Sequence, residues 1–428
     1  MTRLCESGDP DERYQRVFTH VLNPKSISMG ELYGEFNELT AEWTDGLAST
    51  IMRHLANDET ENRQWVVFDG PVDTLWIESM NTVLDDNMTL CLANGERIKL
   101  RPQMRMLFEC MHLKEASPAT VSRIGVVYYS QVTVGWMPVM KSWWERTFES
   151  DKKVDRAVSA RILEMFETTI DEGLKFQRKN MKEPVTTCDI QLAMAVMNVF
   201  TSLWKHNAEK LSKLDSAQKQ INAAEFMFAF SYVWSLGGCS DDVGMERFND
   251  WIQNSENELL SKIRWLGGSS NVFDGFVDID VSDGSTKFRH WKEIVPDFSY
   301  SNDTPFFQLV VPTIDTVRFS YLLRRNVEVG ANMFFTGLTG TGKTVIVSNM
   351  LNQLSETDES GGMDLHPISL NFSAQTNSLM TQGMSCVLLS VFRRWSAKRK
   401  NSSLFHTHTH TQTQVPLNLN LRKNARHF

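Results

Sequence analysis

The sequence predicts an α/β fold in which parallel sheets flanked by helices are joined by a helical domain. An apolar run at 64–68 ends in Asp69 and Gly70, a pattern typical of a buried parallel strand. A glycine-rich loop at 337–344 follows another apolar run and precedes a helical pattern. Between these two features, apolar residues recur at helical spacing over about 131–265.

These patterns divide the chain into successive parts. The predicted parts are an α/β part at 1–130, a helical domain at 131–265, a second α/β part at 266–382, and a tail at 383–428. A short alternating segment, Val272–Val281, lies between Gly/Ser-rich stretches and indicates a hairpin in the connection after the helical domain.

The composition is that of a globular protein, with 41% hydrophobic and 22% charged residues in a chain of 428. The 44 basic and 52 acidic side chains give a net charge of −8, which argues against a surface built to neutralise nucleic acid or anionic lipid. The longest apolar run, Phe226–Leu236, is about 11 residues, whereas a membrane helix needs about 20. The six cysteines lie far apart with no CxxC pair, which favours a reduced cytosolic compartment.

Two stretches of the predicted helical domain carry apolar residues at helical spacing. The first is Ile162, Leu163, Phe166, Ile170 and Leu174, and the second is Ile190, Met194, Met197, Phe200 and Trp204. Phe226–Leu236 is apolar on nearly every side and predicts a buried helix that ends at Gly237 and Gly238.

The strongest chemical signal is a match to the P-loop pattern GxxxxGK[ST]. It consists of Gly337, Leu338, Thr339, Gly340, Thr341, Gly342, Lys343 and Thr344. A predicted strand, Asn332–Thr336, precedes it, and a predicted helix, 343–354, follows it. Glycines let backbone N–H groups wrap a phosphate chain, and the helix presents its positive end to the same charge. Lys343 would reach the β- and γ-phosphates of ATP and Thr344 would bind Mg²⁺. The alternative is a bare glycine turn.

Asp69 is a second candidate because it ends a predicted buried strand. An acid at such a place holds Mg²⁺ through water in P-loop ATPases, and a following Glu polarises the attacking water. Gly70 stands where that Glu would be, so weak hydrolysis is expected here. The alternative is an acid that merely ends a strand.

Arg123 is a third candidate, at the end of the segment 116–125 and just before a predicted apolar strand, Val126–Tyr129. An arginine projecting from the edge of one module stabilises charge on a γ-phosphate bound by its neighbour. The alternative is a solvated surface charge.

Several stretches resemble dynein heavy chains. Those resembling the second AAA+ module of the family are Asn23–Gly34, Glu42–Gly46, Trp65–Asn87, Asn94–Ile98 and Ser117–Gly125. Val311–Val317 and the P-loop resemble the start of the third module, and the resemblance extends over roughly 12–382. The Gly-Pro-Val-Asp form at 70–73 is the axonemal variant.

The resemblance implies partial AAA+ P-loop NTPase modules with a helical lid between them. Asp69 would be the Walker B acid of the second module, and Arg123 an arginine finger facing the ATP of the first. Val311, Pro312 and Thr313 would line the adenine of the third module's ATP or ADP. It further implies an axonemal location and, through other regions of the parent, intermediate chains, light chains and microtubules as partners.

The sequence departs from a complete motor in two ways. No P-loop precedes Asp69, and no acid or sensor of the third module follows the P-loop at 337–344. Neither site is therefore expected to be complete, and microtubule-stimulated ATPase is not expected from this chain.

The tail from Gly383 has a different composition. The alternating stretch His406–Gln414 is what a CA dinucleotide repeat encodes, which favours translated intron. The alternative is a metal-binding histidine tract, but a disordered tail has no scaffold to fix coordination geometry.

Two classes of function remain open at this stage. The chain is part of an ATP-driven, minus-end-directed microtubule motor and contributes regulatory nucleotide binding, or it is a non-catalytic AAA+ remnant that binds nucleotide or a partner surface.

Overall fold

The computed structural model describes residues 1–261, 271–298, 311–355, 367–373, 375–376, 380–381 and 383. The chain divides into two compact units, the first comprising residues 1–128 with the described residues from 370 onward, and the second comprising residues 129–369. Each unit has its own hydrophobic core. The predicted tail at 383–428 lies outside the described residues except for Gly383.

The first unit is built on a parallel sheet of three strands, in which Arg63–Asp69 lies between Val17–Leu22 and Met104–Glu109. The strands of this unit are β1 (Val17–Leu22), β2 (Gly34–Phe36), β3 (Trp43–Asp45), β4 (Arg63–Asp69), β5 (Thr89–Cys91), β6 (Arg97–Lys99) and β7 (Met104–Glu109). β2 pairs with β3, and β5 pairs with β6, as two antiparallel hairpins. The strand predicted at 64–69 is confirmed as the central strand β4.

Short helices cover this sheet. They are α1 (Thr2–Glu6), α2 (Met29–Tyr33), α3 (Leu47–Ala56), α4 (Thr74–Glu78), α5 (Asn81–Leu84) and α6 (Pro118–Val121). Buried apolar residues of α2, α3, α4 and α5 share one core with Val66 and Phe68 of β4, which are fully buried. Trp76 stacks on Phe68 with ring centroids 5.5 Å apart, and the Tyr33 hydroxyl donates to the Trp76 carbonyl at 2.7 Å.

The second unit begins with a helical domain. Its helices are α7 (Gln131–Val134), α8 (Met137–Trp144), α9 (Arg156–Asn180), α10 (Asp189–His206), α11 (Ala208–Ser212), α12 (Ala217–Tyr232), α13 (Asp242–Asn254) and α14 (Glu258–Ser261). Two turns of π-helix continue α8 and α12, at Glu145–Glu149 and Val233–Gly237. The helices predicted from the periodic stretches are thus confirmed as α9 and α10.

The helical domain is held together by aromatic packing on the long helix α9. Its N-cap Asp155 accepts a hydrogen bond from the Ala157 amide at 2.8 Å, which satisfies one free donor at the helix start. Phe166 lies edge-on to Phe228 of α12 and to Phe200 of α10, at 4.9 and 5.6 Å between centroids. Burial of each such ring contributes about 1.5–3 kcal/mol, so this contact sets how the three helices pack.

A hairpin and two further helices complete the second unit. β8 (Gly275–Ile279) pairs antiparallel with β9 (Thr286–His290), which confirms the predicted hairpin. α15 (Ile314–Glu328) packs on α10, and α16 (Lys343–Ser355) packs on α15. None of the helices described is long and apolar enough to cross a membrane.

Two strands predicted from β-forming residues are absent from the described structure. Val126–Tyr129 has no strand structure, and its apolar side chains are 60–84% exposed. Asn332–Thr336 also has no strand structure. These predictions were wrong because β-forming side chains make a strand only where a neighbour accepts the backbone hydrogen bonds, and no described strand pairs with either segment.

Candidate functional site

The glycine-rich loop has the backbone that its composition predicts. Gly337, Gly340 and Gly342 have φ values of 150°, 87° and 81°, a region that other residues rarely adopt. A Cβ atom at Gly340 or Gly342 would meet nothing within 4 Å, so conformation rather than crowding requires glycine there. The loop leads directly into α16, which begins at Lys343.

The Lys343 ammonium lies over its own loop. Nζ donates to the carbonyls of Gly337 and Leu338 at 2.9 and 2.6 Å, and to Thr341 Oγ1 at 3.2 Å. The Thr341 hydroxyl in turn donates to the Leu338 carbonyl at 2.9 Å. A Cβ atom at Gly337 would lie 3.9 Å from Nζ, an ordinary contact distance, so the positive φ rather than crowding requires glycine there too. A positive charge is thereby fixed at the start of a helix, which is the combination that binds phosphate.

Thr344 and the other residues of the loop, except the half-buried Lys343, are open to solvent. Leu338 is 83% exposed, and Thr339 and Thr344 are exposed as well. Their side chains therefore remain accessible to a ligand. On its phosphate side, the predicted nucleotide site thus has a loop with three positive-φ glycines, an ammonium group and an accessible hydroxyl.

The predicted adenine-lining residues lie at the start of α15. Thr313 is the N-cap of this helix, and its Oγ1 accepts from the Thr316 amide at 3.2 Å. Val311 and Pro312 precede it, with Val311 56% exposed. α15 and the P-loop helix α16 share a small core of Leu323, Met350 and Leu354. Both predicted parts of the nucleotide site thus belong to the second unit.

Asp69 lies at the carboxyl edge of the parallel sheet in the first unit, opposite Glu109 at the end of β7. Ligands of open α/β sheets bind outside this edge. The following residue, Gly70, donates its amide to the Glu109 carbonyl at 3.2 Å. A Cβ atom at Gly70 would lie 2.7 Å from Asn23 Oδ1 and 3.3 Å from Pro24 Cδ. Close approach of the β1 exit loop therefore disfavours a catalytic Glu at position 70.

Arg123 follows the short helix α6 and is held by two acceptors. Its Nε donates to Asp85 Oδ1 at 2.6 Å, and its Nη1 donates to the Ala119 carbonyl at 2.7 Å. Its side chain is 30% exposed. Asp85 was missed by sequence reasoning, since it lies at the end of α5 with no motif to connect it to Arg123.

The candidate residues therefore fall in two groups. Asp69 and Arg123 lie in the first unit, and 311–313 and 337–344 lie in the second. Within the described residues, no group of three or more His, Cys, Asp or Glu side chains is placed to hold a metal ion. Mg²⁺ bound together with a nucleotide does not need such a group, because one or two protein oxygens, water and phosphate oxygens complete its coordination.

Three family models match successive parts of the chain. They are an AAA domain of the dynein-related subfamily at 10–124, the dynein heavy chain AAA lid domain at 162–293, and the P-loop containing dynein motor region at 298–390. The sequence is 41% identical to human dynein axonemal heavy chain 6 over 403 residues, covering 93% of this chain and 9% of the relative.

The chain belongs to the axonemal dynein heavy chain family. It is also 36% identical to human dynein axonemal heavy chain 2, covering 90% of this chain and 8% of that protein. Identity to the 1-beta heavy chain of the flagellar inner arm I1 complex of Chlamydomonas reinhardtii is 34%, over 88% of this chain and 9% of the relative. This dynein heavy-chain sequence thus spans less than a tenth of the length of these relatives. Its AAA-type domains have a parallel sheet flanked by helices, and a helical lid domain accompanies them.

Proposed function

We propose that this chain is part of an ATP-driven, minus-end-directed microtubule motor, in which its own P-loop binds ATP or ADP with Mg²⁺. The observation that carries the proposal is the Lys343 ammonium, which is fixed over a loop of three positive-φ glycines at the start of α16. The match of this region to the P-loop containing dynein motor region supports it.

Each residue of the site has a proposed role. Gly337–Thr344 surround the phosphates, with Lys343 at the β- and γ-phosphates and the Thr344 hydroxyl as a Mg²⁺ ligand. The bound Mg²⁺ would neutralise part of the negative charge of the phosphates. Val311–Thr313 line the adenine, and the N-cap at Thr313 fixes where this segment enters α15.

The first unit contributes to a different site in this proposal. Asp69 is the Walker B acid of the second module, and Arg123 is the arginine finger for the nucleotide of the first module. Gly70 in place of a Glu leaves no side chain beside Asp69 to polarise water, so nucleotide bound by the second module would be hydrolysed weakly. The chain's own part in the motor is therefore regulatory nucleotide binding.

The modules would work within one heavy chain. We assign 1–130 to the second module, 131–265 to its lid, and 266–382 to the start of the third module. The partners are the neighbouring AAA modules of the same heavy chain, with intermediate chains, light chains and microtubules bound through other regions. The proposed location is the ciliary or flagellar axoneme of the cytoskeleton.

The test is binding of a fluorescent ADP analogue, with Mg²⁺, to the purified 428-residue chain. We expect Lys343→Ala to weaken binding at least about tenfold, since a charge-assisted contact to phosphate is lost. Lys175→Ala, which removes an exposed charge from α9, is the matched control and should leave the Kd unchanged. Equal affinity of the wild-type chain and Lys343→Ala would refute the proposed site.

A non-catalytic AAA+ remnant is the second candidate. Two observations favour it, the crowding around Gly70 and the engagement of Arg123 by Asp85. Sequencing of the full-length transcript distinguishes the motor from the non-catalytic remnant. Continuous coding sequence for a first module and a microtubule-binding stalk supports the motor, whereas a message that starts at Met1 supports the remnant.

A further inference from the structure

The π-helical turn Val233–Gly237 continues the central lid helix α12 and carries Trp234. Turns of π-helix occur often at functional sites, because the extra residue redirects the side chains that follow. Trp234 and Ser235 are each 7% exposed. Neither the Trp234 Nε1 nor the Ser235 Oγ has a hydrogen-bond partner within the described part of the chain. If packing were the only role of this turn, apolar side chains without polar atoms would be expected at positions 234 and 235.

Trp234 contacts the second turn of α15. Its ring lies edge-on to Phe319, with centroids 6.3 Å apart and planes at 76°. The Arg318 guanidinium carbon lies 5.8 Å from the Trp234 ring centroid, within the range of a cation–π contact. Arg318 also forms an ion pair of 2.7 Å with Asp315, in the first turn of α15. The lid tryptophan is thereby connected to the helix that begins at Thr313.

Phe319 connects the same contact to the P-loop. Its ring lies edge-on to Phe335, with centroids 6.3 Å apart and planes at 84°. Phe335 stands two residues before Gly337, the first residue of the loop. Trp234, Phe319 and Phe335 therefore form a continuous series of rings from the lid to the entry of the P-loop.

We infer that Trp234 and Phe319 are positioning residues of the nucleotide site, which couple the orientation of the P-loop entry to the π-helical turn of the lid. The inference rests on the proposed nucleotide binding. Edge-to-face rings hold a preferred mutual angle, so a shift of Phe335 on binding is passed to Phe319 and then to Trp234. The coupling is reciprocal, and a change at Trp234 alters nucleotide affinity.

The first experiment reads the environment of Trp234 directly. The full chain is labelled with 5-fluorotryptophan, and the ¹⁹F resonance of Trp234 is identified as the one absent from Trp234→Phe. We expect this resonance to shift on saturation with Mg-ADP. The resonance of Trp143, whose ring contacts are Phe148, Phe166 and Phe200 inside the lid, should not move.

The second experiment interrupts the series at its centre. Phe319→Leu removes the ring but keeps an apolar side chain of similar bulk. We expect it to weaken Mg-ADP binding about two- to tenfold, the equivalent of one or two aromatic contacts. At saturating Mg-ADP, the Trp234 resonance of this variant should no longer shift. The matched control is Phe176→Leu, at a half-buried ring that packs on Trp251 and Phe248.

The outcomes separate the inference from the proposed function. A chain that binds Mg-ADP without a shift at Trp234, or Phe319→Leu with the affinity and shift of the wild-type chain, overturns the inference and leaves the nucleotide site standing. Equal loss of affinity in Phe319→Leu and Phe176→Leu would show general destabilisation of the lid and also overturns it. Failure of the wild-type chain to bind Mg-ADP overturns both proposals.

Discussion

At the scale of single residues, crowding around Gly70 explains why one position of the candidate site departs from the pattern of active ATPases. The Asn23 side chain occupies the space into which a Cβ atom would point. That side chain also accepts a hydrogen bond from the Lys25 amide at 2.9 Å, which fixes the loop leaving β1. A larger residue at position 70 must therefore displace the Asn23 side chain and disturb its hydrogen bond with the Lys25 amide.

Gly70→Ala tests this crowding. We expect it to destabilise the first unit by about 1 kcal/mol, because Asn23 must move away from the added methyl group. Gly125→Ala in the same unit is the control, since a Cβ atom there meets nothing within 4 Å. The urea-unfolding midpoint of both variants measures the difference, and equal midpoints would contradict the explanation.

His206, at the end of α10, gives the second unit a predictable response to acid. Burial, and the positive charges of Arg325, Arg324 and Lys210, lower the pKa of His206 to about 4. An unfolded histidine titrates near 6.5, so the unfolded chain binds the proton first as the pH falls. The stability contributed by neutral His206 is present above pH 6.5 and is lost between pH 6.5 and 4.

The corresponding prediction compares the wild-type chain with His206→Gln. The wild-type free energy of unfolding should fall by only about 1 kcal/mol more than that of the variant over this pH range, because His206 remains exposed enough for solvent to screen its charge. Urea unfolding at pH 7 and pH 4.5 measures this difference. Parallel pH profiles would show that His206 does not contribute.

At the scale of elements, close packing of α9 on the end of α12 holds the lid together. A Cβ atom at Gly173 would lie 2.1 Å from Tyr232 Oη and 2.6 Å from Leu236 Cδ1. Tyr232 is fully buried and donates to the Thr169 carbonyl at 3.3 Å, so its ring has little freedom to move. Glycine in the middle of a helix is unfavourable by itself, and here it permits the close approach of a neighbour.

Gly173→Ala should therefore destabilise the lid by about 1–3 kcal/mol, although alanine is the better helix former. Lys175→Ala, two residues along the same helix and exposed, should change stability by less than about 0.5 kcal/mol. Thermal unfolding followed by circular dichroism distinguishes them. A stabilised Gly173→Ala variant would show that helix propensity outweighs the contact with Tyr232.

At the scale of the whole molecule, the chain holds parts of more than one proposed nucleotide site. The nucleotide that Arg123 is proposed to contact belongs to a preceding module. It is not the nucleotide of the proposed P-loop site at 337–344. The ion pair with Asp85 and the bond to Ala119 keep its guanidinium ordered beside α6.

The finger role is tested in a heavy chain that includes the preceding module. Arg123→Lys keeps the charge but loses the planar fork, and arginine fingers contribute about 10³ to 10⁵ in rate. We expect steady-state ATPase to fall by at least about tenfold while nucleotide affinity at the first module changes little. Arg13→Lys, at an exposed arginine paired with Asp11, is the control. Wild-type turnover with Arg123→Lys would make Arg123 a structural residue.

Much of this architecture follows from local sequence pattern. Period-3.6 spacing predicts α9 and α10, and a short apolar run predicts β4, because burial alone decides these elements. The P-loop is found because its glycines and Lys343 are adjacent in sequence. Pairings between distant positions, such as Arg123 with Asp85 and Trp234 with Phe319, leave no local pattern. The uniformly apolar run at 226–236 likewise gives no sign of a change from α- to π-helix within it.

That change of helix type has a consequence for chain length. A π-helical turn holds one residue more than the α-helix around it, and each α-helical residue advances the side chains by about 100°. Deletion of one residue from Val233–Gly237 would leave an ordinary α-helical turn, in which the remaining side chains of the turn point in other directions. The close approach of Phe248 and Phe273, both 2.7 Å from a Cβ atom built on Gly237, would then be lost. Sequences that share this lid should therefore tolerate substitution within the turn more readily than a change in its length.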